Sequence, residues 1–206
     1  MIDIEGVSEN AQPPIAAFAS LTNCSAACWG VIRSKRSSSH SRVRMSGISP
    51  APFGGGDFDN AWVLGVDFVL AAPGGRDIEL GSPATNGRPG GSGYGGFFWR
   101  APAGDVLPHV FAEAPDGADV VNGSTEPWVA LTTRRYGLVF TGLGSGDHWF
   151  VRAADYPGVC AALAYKRPLV VAAGSTVSRH HRVVVVDGRL DRAAAGKLAQ
   201  QAQGHP

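Results

Sequence analysis

Leu80–Pro102 reads LGSPATNGRPGGSGYGGFFWRAP, and it decides between two kinds of fold. Gly91-Ser-Gly93-Tyr-Gly95-Gly96 satisfies the G-x-G-x-x-G spacing of a dinucleotide fingerprint. That fingerprint works only between a strand and a helix, where pyrophosphate meets a helix N-terminus. Here a glycine-dense loop precedes the motif and an apolar aromatic run, Tyr94–Arg100, follows it. Phe97-Phe98-Trp99 favours an extended chain, so the segment reads as a loop feeding a β-strand. Nucleotide binding is thereby set aside. In an extended strand Tyr94, Gly96, Phe98 and Arg100 share one face, and Gly95, Phe97 and Trp99 share the other. Small residues beside aromatics suggest a floor on which something flat could lie. The plain alternative is a glycine-rich turn entering a tightly packed core strand.

The same two-residue period extends outward from this stretch. Trp62, Leu64, Val66, Phe68 and Leu70 alternate with Val63, Gly65, Asp67, Val69 and Ala71. Ala72-Pro-Gly-Gly75 turns the chain, and Ile78–Leu80 begins the return. Further strands are expected at Val106–Ala112, Trp128–Thr133, Tyr136–Leu143, His148–Ala153, Cys160–Tyr165, Leu169–Ala172 and Thr176–Asp187. Turn residues separate them at Pro115-Asp-Gly117, Gly144-Ser-Gly146, Tyr156-Pro-Gly158, Gly174-Ser175 and Asp187-Gly188. Short strands at this spacing predict an all-β fold, an antiparallel β-sandwich. Asp191–Gln203 predicts a C-terminal helix capped by Asp191, short or frayed because Gly196 interrupts it.

Residues 1–56 read differently. Gln12-Pro-Pro, the serine-rich basic run Ser34–Arg44 and Pro50–Gly56 show no sustained period, which predicts a flexible N-terminal segment. The domain is expected over 57–190, with a helical tail at 191–206. The segment 1–56 carries a balance of +2 within a chain of net charge +1, leaving the rest slightly acidic. No basic face is implied, and no nucleic-acid partner is expected. No apolar run approaches the roughly 20 residues of a membrane span. The three cysteines Cys24, Cys28 and Cys160 make no disulfide framework, so the cytoplasm is the expected location. Cys24-x-x-x-Cys28 lacks a second Cys or His pair, and His180 and His181 on one strand face opposite ways. No metal and no other cofactor are expected.

The constellation with chemistry in it joins two strands. Phe98 and Arg100 share a face opposite Trp99, while His148, Phe150 and Arg152 share a face opposite Trp149 and Val151. If both tryptophans enter one core, two Phe/Arg faces look out together. Aromatic rings would cover the C–H face of a sugar, and an arginine fork would take its carboxylate or a hydroxyl pair. The candidate substrate-binding residues are Asn86, Arg88, Tyr94, Arg100 and Arg152, with His148 as the candidate catalytic group. Alternatively, the arginines pair with acids such as Asp105 and Asp155 and face water.

Several pieces of the chain also resemble a bacterial family labelled methane oxygenase PmoA. They are GSPATNGR (81–88), GYGGFFWRAP (93–102), Pro127-Trp128-Val129-Ala130, His148-Trp149-Phe150-Val151-Arg152, Tyr156-Pro157-Gly158-Val159 and Asp187-Gly188. The resemblance covers roughly Asn60–Leu190. It implies a β-sandwich related to the galactose-mutarotase supersandwich, of which this chain would hold the later strands. The histidine-rich and aromatic N-terminal half of the family is not visible in 1–56. In mutarotase-like relatives a histidine protonates the ring oxygen and a glutamate takes the anomeric proton. By that resemblance His148 is the acid, and Glu79, Glu113 and Glu126 are the bases available. Three functions therefore compete: a sugar-binding or sugar-modifying sandwich, an oxygenase, and a non-catalytic structural module.

Overall fold

The computed structural model describes residues 42–53 by their backbone, together with 61–88, 92–101 and 104–204. Two antiparallel sheets face each other across an apolar core. The larger has six strands: β1 (Arg42–Phe53), β2 (Ala61–Ala71), β5 (His109–Ala112), β6 (Trp128–Thr132), β7 (Tyr136–Thr141) and β11 (Thr176–Asp187). Their order is β1-β2-β11-β7-β6-β5. The smaller sheet has the order β4-β9-β8, from Gly96–Arg100, Gly158–Ala162 and His148–Arg152. A two-stranded sheet of β3 (Ile78–Leu80) and β10 (Leu169–Val171) closes one end. Helix α1 is the single turn Ala118–Val121, and α2 is Arg192–Gln203.

The sequence of β11 records which faces are covered. Val183-Val-Val-Val186 is buried throughout because each side meets an apolar layer. Val183 and Val185 enter the inter-sheet core with Trp99, Phe140, Trp149 and Val151. Val184 and Val186 lie on the other side, under Ala195, Leu198, Ala199 and Ala202 of α2. The first half of β11 runs past the end of that helix, so Ser178 and His180 are exposed there.

Helix α2 is the short C-terminal helix that the sequence predicts, within a residue of its expected bounds. Gly196 does not fray it, because that position rests over Trp128, with the ring 3.8 Å from where a Cβ would stand. Packing of the alanine face outweighs the propensity cost of one glycine, about 1 kcal/mol. Asp191 Oδ1 accepts the Ala194 amide at 2.8 Å and satisfies one of the helix's orphan donors. Asp191→Ala is expected to lower stability by about 0.5–2 kcal/mol. Denaturant unfolding would measure it, and an unchanged midpoint would show that the cap is dispensable.

Two expectations need correction. The segment before residue 57 was read as patternless, yet Arg42–Phe53 is a strand paired along the whole of β2, with a shift between Met45 and Gly47. Its prolines and glycine hide the period, and an edge strand tolerates them because one side of its backbone needs no ladder bonds. Val106 and Leu107 were expected to begin β5; both are 64% exposed, and the strand starts at His109. The remainder of the 1–56 reading, including Cys24, Cys28 and most of the basic serine run, lies outside the described residues.

Candidate functional site

The two motifs around Trp99 and Trp149 meet through β9, which neither motif contains. In register, Gly96, Ala162 and His148 form one row, Phe98, Cys160 and Phe150 the next but one, and Arg100, Gly158 and Arg152 the last. All nine share one face. The alternate rows, Phe97-Ala161-Trp149 and Trp99-Val159-Val151, point into the inter-sheet core. Trp149 also donates from Nε1 to the Glu126 carbonyl at 2.8 Å. Arg100 and Arg152 thus stand level, with Gly158 between them. Their Cα atoms are two strand spacings apart, about 9.5 Å.

The phenylalanines of this face do not look out, as strand parity alone suggested. Phe98 is 6% exposed and Phe150 1%, because a layer of tyrosines covers them. Tyr94 packs edge-on to Phe150 at 5.3 Å, and Tyr156 lies against Phe98 at 6.1 Å. Arg100 sits over the Tyr156 ring at 3.8 Å, and Arg152 over Phe150 at 4.4 Å. His148 stacks on Tyr165 at 5.4 Å with the rings 15° apart. Burial raises the Tyr165 phenol above its ordinary value, and the charge of Arg152 offsets part of that rise. The strand expected at Cys160–Tyr165 is instead Gly158–Ala162, which leaves Tyr165 beyond its end, and neither Tyr165 nor Tyr156 is among the site residues that the sequence suggests.

Tyr165 also accounts for Gly93 of the glycine loop and for Gly123 outside it. A side chain at Gly93 would collide with its ring, with a Cβ 2.7 Å from Cε2, and one at Gly123 would meet its hydroxyl at 2.8 Å. The flat object that the glycine loop accommodates is therefore the chain's own tyrosine.

Asn86 and Arg88 lie apart from this arrangement in their contacts. Asn86 Nδ2 donates to the Ser82 carbonyl at 3.0 Å, and the Arg88 amide donates to Pro83. Thr85 Oγ1 accepts the Ser82 amide at 2.7 Å, so the turn is stitched to itself, with Asn86 and Arg88 exposed. Ala84 N donates to Ser92 O at 3.1 Å, which ties the turn to the chain just before Tyr94. Glu79 and Glu113 are exposed, and Glu126 Oε2 accepts the Ala114 amide at 3.3 Å. None of these three contacts His148. The His148 Nδ1 lies 3.1 Å from the Gly146 carbonyl. A carbonyl can only accept, so Nδ1 carries a proton and Nε2 is left as the basic atom of the neutral ring.

Behind His148 stands a buried ion pair. Asp147, 2% exposed, takes Arg179 Nε at 2.6 Å and Nη2 at 2.9 Å, with the Gly144 amide at 3.0 Å. His180 is exposed and bonded to Asp67, whereas its neighbour His181 is 1% exposed.

A cleft of about 350 Å³ lies away from this face, between β5 and the start of α2. His109 Nε2 meets Asp116 there at 2.7 Å, and this contact first, with Arg192 beside it, holds the Asp116 carboxyl below its ordinary range. Arg192 donates to the carbonyls of Ala112, Glu113 and Pro115 and to Asp116, and it lies over Phe111. Its donors are spent on holding the helix to the sheet. Among the described residues no group of three or more His, Cys, Asp or Glu side chains is placed to hold a metal. No described helix is long and apolar enough to cross a membrane.

Fold and face together define a class: an antiparallel β-sandwich whose smaller sheet carries a layer of tyrosines flanked by level arginines. Within that class the chain belongs to a family of unknown function, DUF6807, whose model matches residues 51–200. No curated protein matches it.

Proposed function

We propose that the outer layer of the β4-β9-β8 sheet binds a sugar-like small molecule bearing an acidic group. The observation that carries this reading is the level placement of Arg100 and Arg152 across Gly158, on the face that Tyr94, Tyr156, Tyr165 and His148 share. Tyrosine rings offer an apolar surface to ring C–H groups and keep hydroxyls for the polar edge. A guanidinium takes a carboxylate through two parallel bonds. His148 Nε2 is the atom through which a bound ligand would exchange a proton, which makes sugar modification an extension of binding. The mutarotase-like kinship belongs to this proposal, with His148 acting as a base at Nε2 rather than as the acid that the resemblance implies. The oxygenase name carried by the resemblance has no donor cluster to support it among the described residues.

The test is a thermal-shift and calorimetric comparison of galacturonic acid, glucuronic acid and their neutral parent sugars. An acidic sugar is expected to bind, and Arg100→Ala is expected to weaken it tenfold or more, since a hydrogen bond to a charged group contributes about 1.5–3 kcal/mol. Stability should change by less than about 1 kcal/mol, because Arg100 is exposed. Absence of binding by all four sugars, or equal binding by wild type and variant, would remove the proposal and leave a structural module.

A further inference from the structure

His181 is the anomaly of the interior. It is 1% exposed, and neither ring nitrogen makes a well-formed hydrogen bond, although the Gly142 backbone lies near enough to favour the protonated ring. Its ring stacks on Phe97 at 5.4 Å and lies 5.6 Å from Phe68. A buried polar group without such a bond is rare and asks for a reason. The ring sits on β11 two residues from Arg179, whose guanidinium clamps Asp147. The turn 142–148 touches the large sheet at this place: Gly142, at φ 94°, has no room for a side chain against the backbone of His180 and His181.

We infer that His181, Arg179 and Asp147 form an acid-sensitive catch, which holds the Gly142–His148 turn against the six-stranded sheet while the imidazole is neutral and releases it on protonation. A neutral ring is tolerated between two phenylalanines. An imidazolium is not, because it brings a full charge and two donors into a site whose one carboxylate is already taken by Arg179. The charged groups facing it are few. Asp147 from the turn favours the proton, Arg179 on the same strand opposes it, and the Gly142 backbone and then Asp67 from β2 favour it more weakly. From β4 the uncharged ring of Phe97 stacks on it. Either Asp147 exchanges Arg179 for the cation or the ring leaves the core, and both move the turn.

Burial, the largest influence, pushes the His181 imidazole down from 6.5 to about 4. A depressed histidine stabilises the fold fully above the pKa of the free imidazole and loses that contribution as pH falls through the folded value. The catch is therefore closed above pH 6.5 and yields between 6.5 and about 4. Release would disorient His148, which bonds the Gly146 carbonyl. That consequence alone rests on the proposed ligand face; the catch does not.

The test is amide exchange on the whole chain at pH 7 and pH 4.5, corrected for the intrinsic rate. The Asp147 amide, which donates to Gly144 O, reports on the turn, and Val183–Val186 report on the sheet. Wild type is expected to lose tenfold or more of the protection at Asp147 while Val183–Val186 keep theirs. His181→Phe is expected to keep both. Equal loss at Asp147 in wild type and variant, or loss across Val183–Val186 to the same extent, would overturn the catch. Should His181→Phe not fold, NMR titration of the wild-type ring decides: a midpoint above 6 overturns the inference, and one well below 6 supports it. Weaker galacturonate binding at pH 4.5 in wild type but not in the variant would link the catch to the face. Turn release with unchanged sugar binding would break that link and leave both the catch and the ligand face standing.

Discussion

Gly96→Val is expected to remove a large share of the fold's stability. Gly96 opens β4 at φ 141°, in a region that side-chain-bearing residues rarely enter. Holding valine there costs about 1–3 kcal/mol. A Cβ would also run into the Ala161 carbonyl oxygen and stand 3.2 Å from Leu163 Cγ. Ala161 lies in β9, in the middle of the smaller sheet, and cannot withdraw without breaking the ladder to β4 or β8. Overpacking of this kind costs about 1–3 kcal/mol more. Together the two amount to about 4 kcal/mol, against a total stability of about 5–15 kcal/mol for an ordinary domain. Denaturant unfolding of the variant should show a much lower midpoint, or no folded baseline at all. A midpoint close to that of wild type would mean that β4 can shift freely and that its pairing with β9 does not position Arg100.

Arg179→Leu is expected to cost about 3–5 kcal/mol, the usual penalty for removing one partner of a buried ion pair. The side chain of Asp147 is 1% exposed, and without Arg179 the Gly144 amide would be its remaining hydrogen-bond donor among the described residues. The loss comes from stranding a carboxylate, not from losing attraction, and the double replacement separates the two. Asp147→Leu combined with Arg179→Leu should recover most of the stability, because an apolar pair of similar volume is often neutral or better. Chemical unfolding of wild type, single and double variants forms the necessary cycle. If the single variant loses under about 1 kcal/mol, water reaches Asp147 and the turn is not clamped.

The strands that carry the site were legible because their chemistry is local. Alternation in Ala61–Ala71 follows from the two-residue period of a pleated chain, and both that strand and Thr176–Asp187 have their predicted bounds within a residue. The same parity places Arg100 with Phe98, and Arg152 with Phe150 and His148, on faces opposite their tryptophans. Asp191 could be recognised as a cap for the same reason, since its partner lies three residues away.

Strand β1 was not legible. Its residues show no period of their own, and they are extended because β2 offers them a ladder. The tyrosine layer was equally hidden. Tyr156 and Tyr165 come from turns, and nothing near them in sequence says that one will lie beneath Arg100 and the other against His148 and Gly93. Asn86 and Arg88 looked like site residues beside a flexible loop, until hydrogen bonds within Ser82–Arg88 gave that loop a structure of its own.

His181 marks the division between the two sources of information. Strand parity determined that one of His180 and His181 faces inward, because adjacent side chains on a strand must diverge. Only the tertiary structure decided that the inward one meets Phe97 and Phe68 without a well-formed hydrogen bond, beside an ion pair that joins a turn to a sheet. Periodicity assigns a direction to a side chain, whereas its surroundings come from elements far along the chain that meet there only after folding.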